Sequence, residues 1–197
     1  GKEIKENEVE GYLCIKNPWL SMIRTTYGDH ERCKNVYFSH YDGYYCTGDG
    51  AKRDDNGLYR LIGRVDDVIN VAGHRMSTGE MEEIVGKHPA VAECAVVGRK
   101  DELKGQMPAG FVVLKNTSDS DSDQSLIIEE LIQLVRHEIG AVAAFKEAYV
   151  VNRLPKTRSG KILRKTIRCI ADGEPYPLPS TIDDPSSLDE IKALFPH

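Results

Sequence analysis

Gly63-Arg64-Val65-Asp66-Asp67-Val68-Ile69-Asn70-Val71-Ala72-Gly73-His74-Arg75 separates two halves of the chain that have different periodicities. Upstream of it, alternating apolar residues in Tyr12-Leu13-Cys14-Ile15, Tyr44-Tyr45-Cys46-Thr47 and Leu58-Tyr59-Arg60-Leu61-Ile62 predict short strands, the last fed by a turn at Asp55-Asn56-Gly57. Residues 1–63 therefore read as mainly β. Downstream, the pattern predicts a strand at Val68–Val71, a helix at 78–88, strands at 91–97 and 109–114, a helix at 126–139, a strand at 148–152 and a helix at 162–171. The expected fold class is α+β: a short β-sheet flanked by helices, residues 64–197, preceded by the mostly β segment. The dividing stretch has two readings that its spacing does not separate. It is either a charged linker with a strand behind it, or a hinge at 64–67 in which Asp66 absorbs a change in backbone angles while Arg64 and Arg75 meet anions in alternate states.

Neither half has enough elements for a complete enzyme, and 1–63 exposes more strand edge than an isolated sheet tolerates, so missing upstream chain is expected to cover it. The net charge of −5 argues against a sequence-independent nucleic-acid binder. Five widely spaced cysteines without a C-x-x-C pair support neither a disulfide framework nor a zinc site, and point to a reducing compartment. No apolar run is long enough to span a membrane, and the polar first residues are unlike a signal peptide. The expectation is an intracellular protein without membrane or nucleic-acid partners. The acidic, low-complexity run at 117–125 reads as a solvated loop. Asp119, Asp121, Asp123 and Glu130 match part of a calcium-loop template, but Gln124 stands where that template needs glycine, so a calcium site is not expected. From residue 172 a Pro- and Ser-rich tail reads as an extended strap ending in a helical turn.

Two further segments carry candidate chemistry. Residues 153–168 hold seven cations and no acid, with Ser159-Gly160-Lys161 placed where a loop would enter a helix, so that Lys161 and nearby N–H groups suit a phosphate. A solvated basic face or a polyanion site fits the same charges. In Tyr45-Cys46-Thr47-Gly48-Asp49-Gly50, Asp49 follows a strand and a glycine and is suited to accept hydrogen bonds from vicinal ribose hydroxyls, although a turn-forming Asp fits the triplet equally well.

Taken in order, the Thr47-Gly48-Asp49 triplet, the 63–75 stretch and Pro155-Lys156-Thr157-Arg158-Ser159-Gly160-Lys161 resemble the adenylate-forming enzymes, over essentially the whole chain. Pro18-Trp19, Tyr27-Gly28-Asp29-His30-Glu31-Arg32 and Thr47-Gly48-Asp49-Gly50-Ala51 look like acetyl-CoA synthetases. Val71-Ala72-Gly73-His74-Arg75, Leu103-Lys104-Gly105-Gln106 and Ala171-Asp172-Gly173-Glu174-Pro175-Tyr176 look more like propionyl-CoA synthetases.

The resemblance implies the C-terminal part of an AMP-forming short-chain acyl-CoA synthetase: 1–63 as the distal end of the large N-terminal domain, 64–197 as the C-terminal lid. It implies ATP, Mg2+, coenzyme A and acetate or propionate as ligands, with the cytoplasm or the mitochondrial matrix as compartment. By motif match Asp49 and Arg64 would hold ATP, Arg75 would pair with phosphate in the thioester-forming state, and Asp66 would be the hinge. Lys161 would be the catalytic lysine and a target of a lysine acetyltransferase and deacetylase. Gly73 and Arg136 would contact coenzyme A, and backbone carbonyls at Gly86, His88 and Val91 would hold the metal. The phosphate loop and acyl pocket of the upstream domain are not in this sequence, so the fragment is not expected to turn over alone. Ala72 and Ala141 depart from the family's usual Ser and Pro. A non-catalytic module that binds coenzyme A or another polyanion is the competing expectation. A domain loading a carrier protein is disfavoured by Arg136 and the propionyl-like tail.

Overall fold

The computed structural model describes residues 2–115 and 121–196. The chain divides into two compact units, Gly1–Asp66 and Asp67–His197, parting within a 3-10 turn at Val65–Asp67.

The first unit is an antiparallel sheet of β1 (Val9–Ile15), β2 (Tyr45–Arg53) and β3 (Tyr59–Arg64) in the order β1-β2-β3. Asp54 closes the β2–β3 turn: its carboxylate accepts the Leu58 N–H at 2.8 Å and its own N–H reaches the Leu58 carbonyl at 3.0 Å. Between β1 and β2 lies α1 (His30–Tyr37), which the periodicity did not predict. Its residues are mostly polar and it buries only Cys33, so it has no apolar stripe to detect. A cap starts it, Asp29 Oδ1 accepting the Arg32 N–H at 3.0 Å. Tyr37 stacks on Tyr45 with ring centroids 5.2 Å apart, and Trp19 meets Tyr45 edge-on at 5.0 Å. Among the described residues the unit buries only Cys33, Cys46 and Ala51 as apolar side chains, while Leu20, Tyr27, Leu58, Tyr59 and Leu61 are exposed.

The second unit is built on β4 (Val68–Val71), β5 (His74–Ser77), β6 (Val91–Asp101) and β7 (Gly105–Leu114) in the order β5-β4-β7-β6, with β8 (Glu147–Val150) running parallel to β7. Strand β5, without apolar alternation, is a further element the sequence did not announce. Side chains alternate across β6 and β7 into two cores. Val96 and Val112 face Met81 and Val85 of α2 (Thr78–Gly86) and Leu131 and Val135 of α3 (Asp121–Glu138). Ala95, Val97 and Phe111 face Ile167 and Ile170 of α4 (Arg164–Ala171) and Leu188 and Ile191 of α5 (Ser187–Leu194). Phe111 is fully buried, a side chain worth about 2–3 kcal/mol in transfer from water. Helices on both faces explain why β6 and β7 read as near-continuous apolar runs.

Several boundaries differ from the expectation. Helix α3 begins at Asp121, so residues 121–125 form its first turn instead of a loop, an end where acids favour the helix dipole. The calcium template fails with it, because Asp123 and Glu130 lie within a helix; Asp119 and the Asp121 side chain lie outside what is described. Helix α4 begins at Arg164, two residues late, because residues 155–163 close on themselves as a hairpin. The tail is anchored: Phe195 packs against Tyr149 at 4.9 Å, the Arg99 guanidinium lies 4.6 Å from its ring, and Glu190 accepts the Asn152 N–H at 2.7 Å. Among the described residues no helix is long and apolar enough to cross a membrane.

Candidate functional site

In the first unit, Asp49 on β2 pairs in register with Arg64 on β3, next to a bulge between Gly50 and Ala51. Arg64 Nη1 donates to the Thr47 carbonyl at 2.8 Å and to Asp49 Oδ1 at 3.4 Å. The Thr47 hydroxyl donates to the Leu13 carbonyl at 3.0 Å and accepts the Asp49 N–H at 3.1 Å, so one side chain ties the turn to β1 and fixes the backbone of Asp49. Gly48 between them has φ 77°, and a Cβ there would come within 2.5–2.8 Å of the Arg64 guanidinium. Glycine is needed for the conformation and for the arginine above it. The pair is partly exposed, with side-chain accessibilities of 31% for Asp49 and 50% for Arg64, leaving it open to a ligand and weak as a stabilising bridge.

In the second unit, Lys161 sits on a small hairpin. The Thr157 N–H donates to the Lys161 carbonyl at 2.8 Å, the Lys161 N–H to Thr157 Oγ1 at 3.1 Å, the Gly160 N–H to the Thr157 carbonyl at 2.8 Å, and Leu163 N–H to the Pro155 carbonyl at 2.9 Å. The N–H groups of Gly160 and Lys161 are therefore spent within the turn. What the hairpin presents is the Lys161 side chain, exposed to solvent.

The hairpin is braced on three sides. Lys156 Nζ reaches both carboxylate oxygens of Glu93 at 2.6 Å. Arg164 makes a bidentate pair with Glu82, at 2.8 and 2.7 Å, while Glu82 Oε1 also accepts the Val96 N–H at 2.9 Å. The hydrogen bonds to Glu82 raise the Arg164 pKa above its ordinary value. From the tail, the Thr181 carbonyl accepts the Arg158 N–H at 3.0 Å and the Asp183 N–H reaches the Lys156 carbonyl at 2.9 Å. Arg153 pairs with Asp184. Of the seven cations in this run, three are thus neutralised, whereas among the described residues Arg158, Lys161, Lys165 and Arg168 make no ion pair. Glu82, Glu93 and the 181–183 segment carried no local signal in the sequence, since each acts on residues far along the chain.

The remaining candidates are dispersed. Val71-Ala72-Gly73-His74 turns β4 into β5, with Ala72 at φ 49° and Gly73 at φ 90°; the Gly73 N–H donates to Asn70 Oδ1 at 3.1 Å. Arg75 follows on β5, opposite Asn70 and exposed. Arg136 lies exposed in the last turn of α3. Gly86 ends α2, and the His88 carbonyl accepts the Val91 N–H at 3.0 Å as the chain turns into β6. His88 Nδ1 accepts the Ala90 N–H at 3.3 Å, so Nε2 carries the proton donated to Glu130 at 3.0 Å. Among the described residues no three acidic, His or Cys side chains converge as a metal site. Asp66 lies within the 3-10 turn between the units, and its side chain is outside what is described.

Residues 80–161 match the AMP-binding enzyme C-terminal domain. Among curated relatives, an acetyl-coenzyme A synthetase of Penicillium chrysogenum is 51% identical over 97% of this chain and 28% of its own length. An uncharacterised protein of Pseudomonas aeruginosa is 58% identical over 87% of this chain and 27% of its own. The acetoacetyl-CoA synthetase of Streptomyces lividans shares the fold, with a TM-score of 0.80 at 24% identity over 95% of this chain and 28% of that one. The chain spans less than a third of the length of each of these proteins.

Proposed function

We propose that this chain is the C-terminal part of an AMP-forming short-chain acyl-CoA synthetase acting on acetate or propionate, with residues up to the 65–67 turn completing its large domain and the rest forming its lid. The observation that carries the proposal is Lys161: an exposed cation without an ion pair among the described residues, on a hairpin whose flanking cations are held by Glu93 and Glu82. Its placement suits a residue that must reach a reacting group. The relatives' names and the Asp49–Arg64 pair support the same reading. So does the first unit's small core, since three buried apolar side chains do not offset the ordering of some sixty residues without further chain packed on them.

In the first half-reaction an oxygen of the carboxylate attacks the α-phosphorus of ATP and pyrophosphate leaves. The Asp49 carboxylate accepts the ribose hydroxyls, Arg64 holds that carboxylate and adds positive charge, and the Lys161 ammonium stabilises the charge that develops between the carboxylate and the α-phosphate. Backbone angles at Asp66 then change, carrying Lys161 away and bringing the Ala72–Gly73 turn and Arg75 to the site. The coenzyme A thiol, its pantetheine beside Gly73 and its nucleotide near Arg136, displaces AMP from the acyl carbon. Carbonyls of Gly86, His88 and Val91 would hold Mg2+, because oxygen donors suit a hard cation and the His88 carbonyl keeps a second lone pair. The exposed Lys161 is also open to an acetyltransferase, and acetylation would remove the charge that adenylation needs.

AMP release by the full-length parent supplied with ATP, coenzyme A and acetate, propionate or butyrate tests this. Release that depends on one acid and is abolished by Lys161→Ala, with thioester formation from supplied acyl-adenylate retained, is expected. Absence of release with every acid would overturn the ligase reading in favour of a binding module. Equal loss of both half-reactions in Lys161→Ala would overturn the role of the lysine.

A further inference from the structure

Two of the five thiols face each other across the first sheet. Cys14 on β1 and Cys46 on β2 are direct partners in the antiparallel register, and their sulfurs lie 3.7 Å apart. Cys46 is buried and Cys14 is half-buried, with Cys14 reachable from solvent. Paired residues in such a ladder carry Cβ atoms about 4.5–5.5 Å apart. A disulfide holds them at about 3.5–4.5 Å with its sulfurs about 2.05 Å apart. The thiols therefore need only side-chain rotation and a small closing of β1 on β2 to join. A register irregularity between Tyr12 and Cys14 gives β1 the local freedom to make that move.

We propose that Cys14 and Cys46 form a dithiol–disulfide site whose oxidant is a low-molecular-weight disulfide, and that closing it slows the nucleotide step. The Cys14 thiolate attacks one sulfur of the small disulfide, forming a mixed disulfide and expelling one small thiolate. Cys46 then gives up its proton and its sulfur attacks Sγ of Cys14, expelling the second small thiol. Two protein thiols and one small disulfide become one protein disulfide and two small thiols, and two electrons pass to the small molecule. Burial, and the hydrogen bond to Cys46 after it, push the Cys14 thiol up to about 11. Exchange therefore rises about tenfold per pH unit below that value, since the thiolate is the nucleophile.

The effect on nucleotide binding rests on the reading of Asp49 given above. Cys46 is bonded to Thr47, whose hydroxyl joins the Leu13 carbonyl to the Asp49 N–H and whose carbonyl takes Arg64 Nη1. Drawing Cys46 toward Cys14 shifts the residue on which that turn is hung. Neither the 65–67 turn nor the Lys161 hairpin takes part.

The test is treatment of the full-length parent with oxidised glutathione at pH 7, 8 and 9, with peptide mapping under non-reducing conditions and AMP release before and after dithiothreitol. The expected result is a Cys14–Cys46 cross-linked peptide that forms faster as pH rises, with a severalfold loss of acid-dependent AMP release that dithiothreitol restores. Cys14→Ser should be active and immune to oxidised glutathione, and Cys46→Ser should stop at the mixed disulfide on Cys14. Persistent glutathionylation of Cys14 in the parent, a cross-link through another cysteine, or a cross-linked enzyme with undiminished release would overturn the proposal. A reduced parent that releases no AMP would instead refute the ligase reading, and the mapping would still report on the site.

Discussion

Replacing Glu82 by Gln should loosen α4 and with it the hairpin that carries Lys161. Glu82 and Arg164 are largely enclosed, with side-chain accessibilities of 15% and 25%, and share two hydrogen bonds of 2.7 and 2.8 Å. Charge-assisted bonds contribute about 1.5–3 kcal/mol each, and removing one partner of a fully buried pair costs about 3–5 kcal/mol. Glutamine keeps one acceptor oxygen, which either Arg164 or the Val96 N–H can use, and turns an amide N–H2 toward a guanidinium that has only donors. With a quarter of the arginine still hydrated, the net cost comes to about 2–3 kcal/mol, or roughly 6–10 °C in the midpoint of a unit of this size. Urea unfolding followed by far-ultraviolet circular dichroism measures it. Trp19, the single tryptophan, lies in the first unit and reports separately on that unit. Adding Arg164→Met to Glu82→Gln should cost less than the sum of the single changes, because the orphaned guanidinium goes with its partner; the expected coupling is at least about 1 kcal/mol. A loss below about 0.5 kcal/mol for Glu82→Gln, or strict additivity in the cycle, would refute the brace.

Gly48→Ala should push the Arg64 guanidinium off Asp49 and raise the KM for ATP in the full-length parent severalfold, with KM for the carboxylate unchanged; an unaltered KM for ATP would count against the geometry. Ala72→Gly should stabilise the β4–β5 turn by about 0.5–1 kcal/mol, since Ala72 holds φ 49° where glycine carries no Cβ penalty, and a lowered unfolding midpoint would contradict this. Burial, with the Glu82 carboxylate second, pushes the Cys94 thiol up to about 11 from its ordinary value near 9. Between those values the native state keeps a proton that the unfolded chain releases, so stability should fall as pH rises from 9 to 11, and the fall should flatten in Cys94→Ala. The same thiol should label with a disulfide reagent about a hundredfold more slowly than an exposed cysteine at pH 8, measured by peptide-resolved kinetics.

The elements that the sequence announced are those whose partners are imposed by periodicity. Val96 and Val112 on one face and Val97 and Phe111 on the other make β6 and β7 legible, as Met81, Ile84 and Val85 do α2. Helix α1 was hidden because its contribution to burial is one cysteine, and its start is set by a single Asp29 hydrogen bond. The first turn of α3 was hidden because aspartate and serine favour loops and helix N-termini alike, and the choice rests on the apolar face that begins after them. Strand β5 was hidden because His74-Arg75-Met76-Ser77 has no alternation of its own and is held as a strand by pairing with β4.

The basic run at 153–168 shows why charge is harder to read than hydrophobicity. An apolar residue declares its environment by its own type, but a cation's meaning depends on its partner, and these partners are remote: Glu93 is 63 residues from Lys156 and Glu82 is 82 residues from Arg164. A local count of seven cations suggests one anion-seeking surface. Pairing divides it instead into residues that hold the hairpin and residues that face solvent from it. A general polyanion binder gains nothing from neutralising Lys156 and Arg164, since each pair removes a charge available to phosphate. A residue that must present one ammonium at a fixed place gains from both, because they fix the two ends of its loop while leaving its own charge unpaired. The arrangement therefore favours a positioned lysine over a basic patch, and the Glu82→Gln and Arg164→Met cycle measures the half of that argument that concerns the brace.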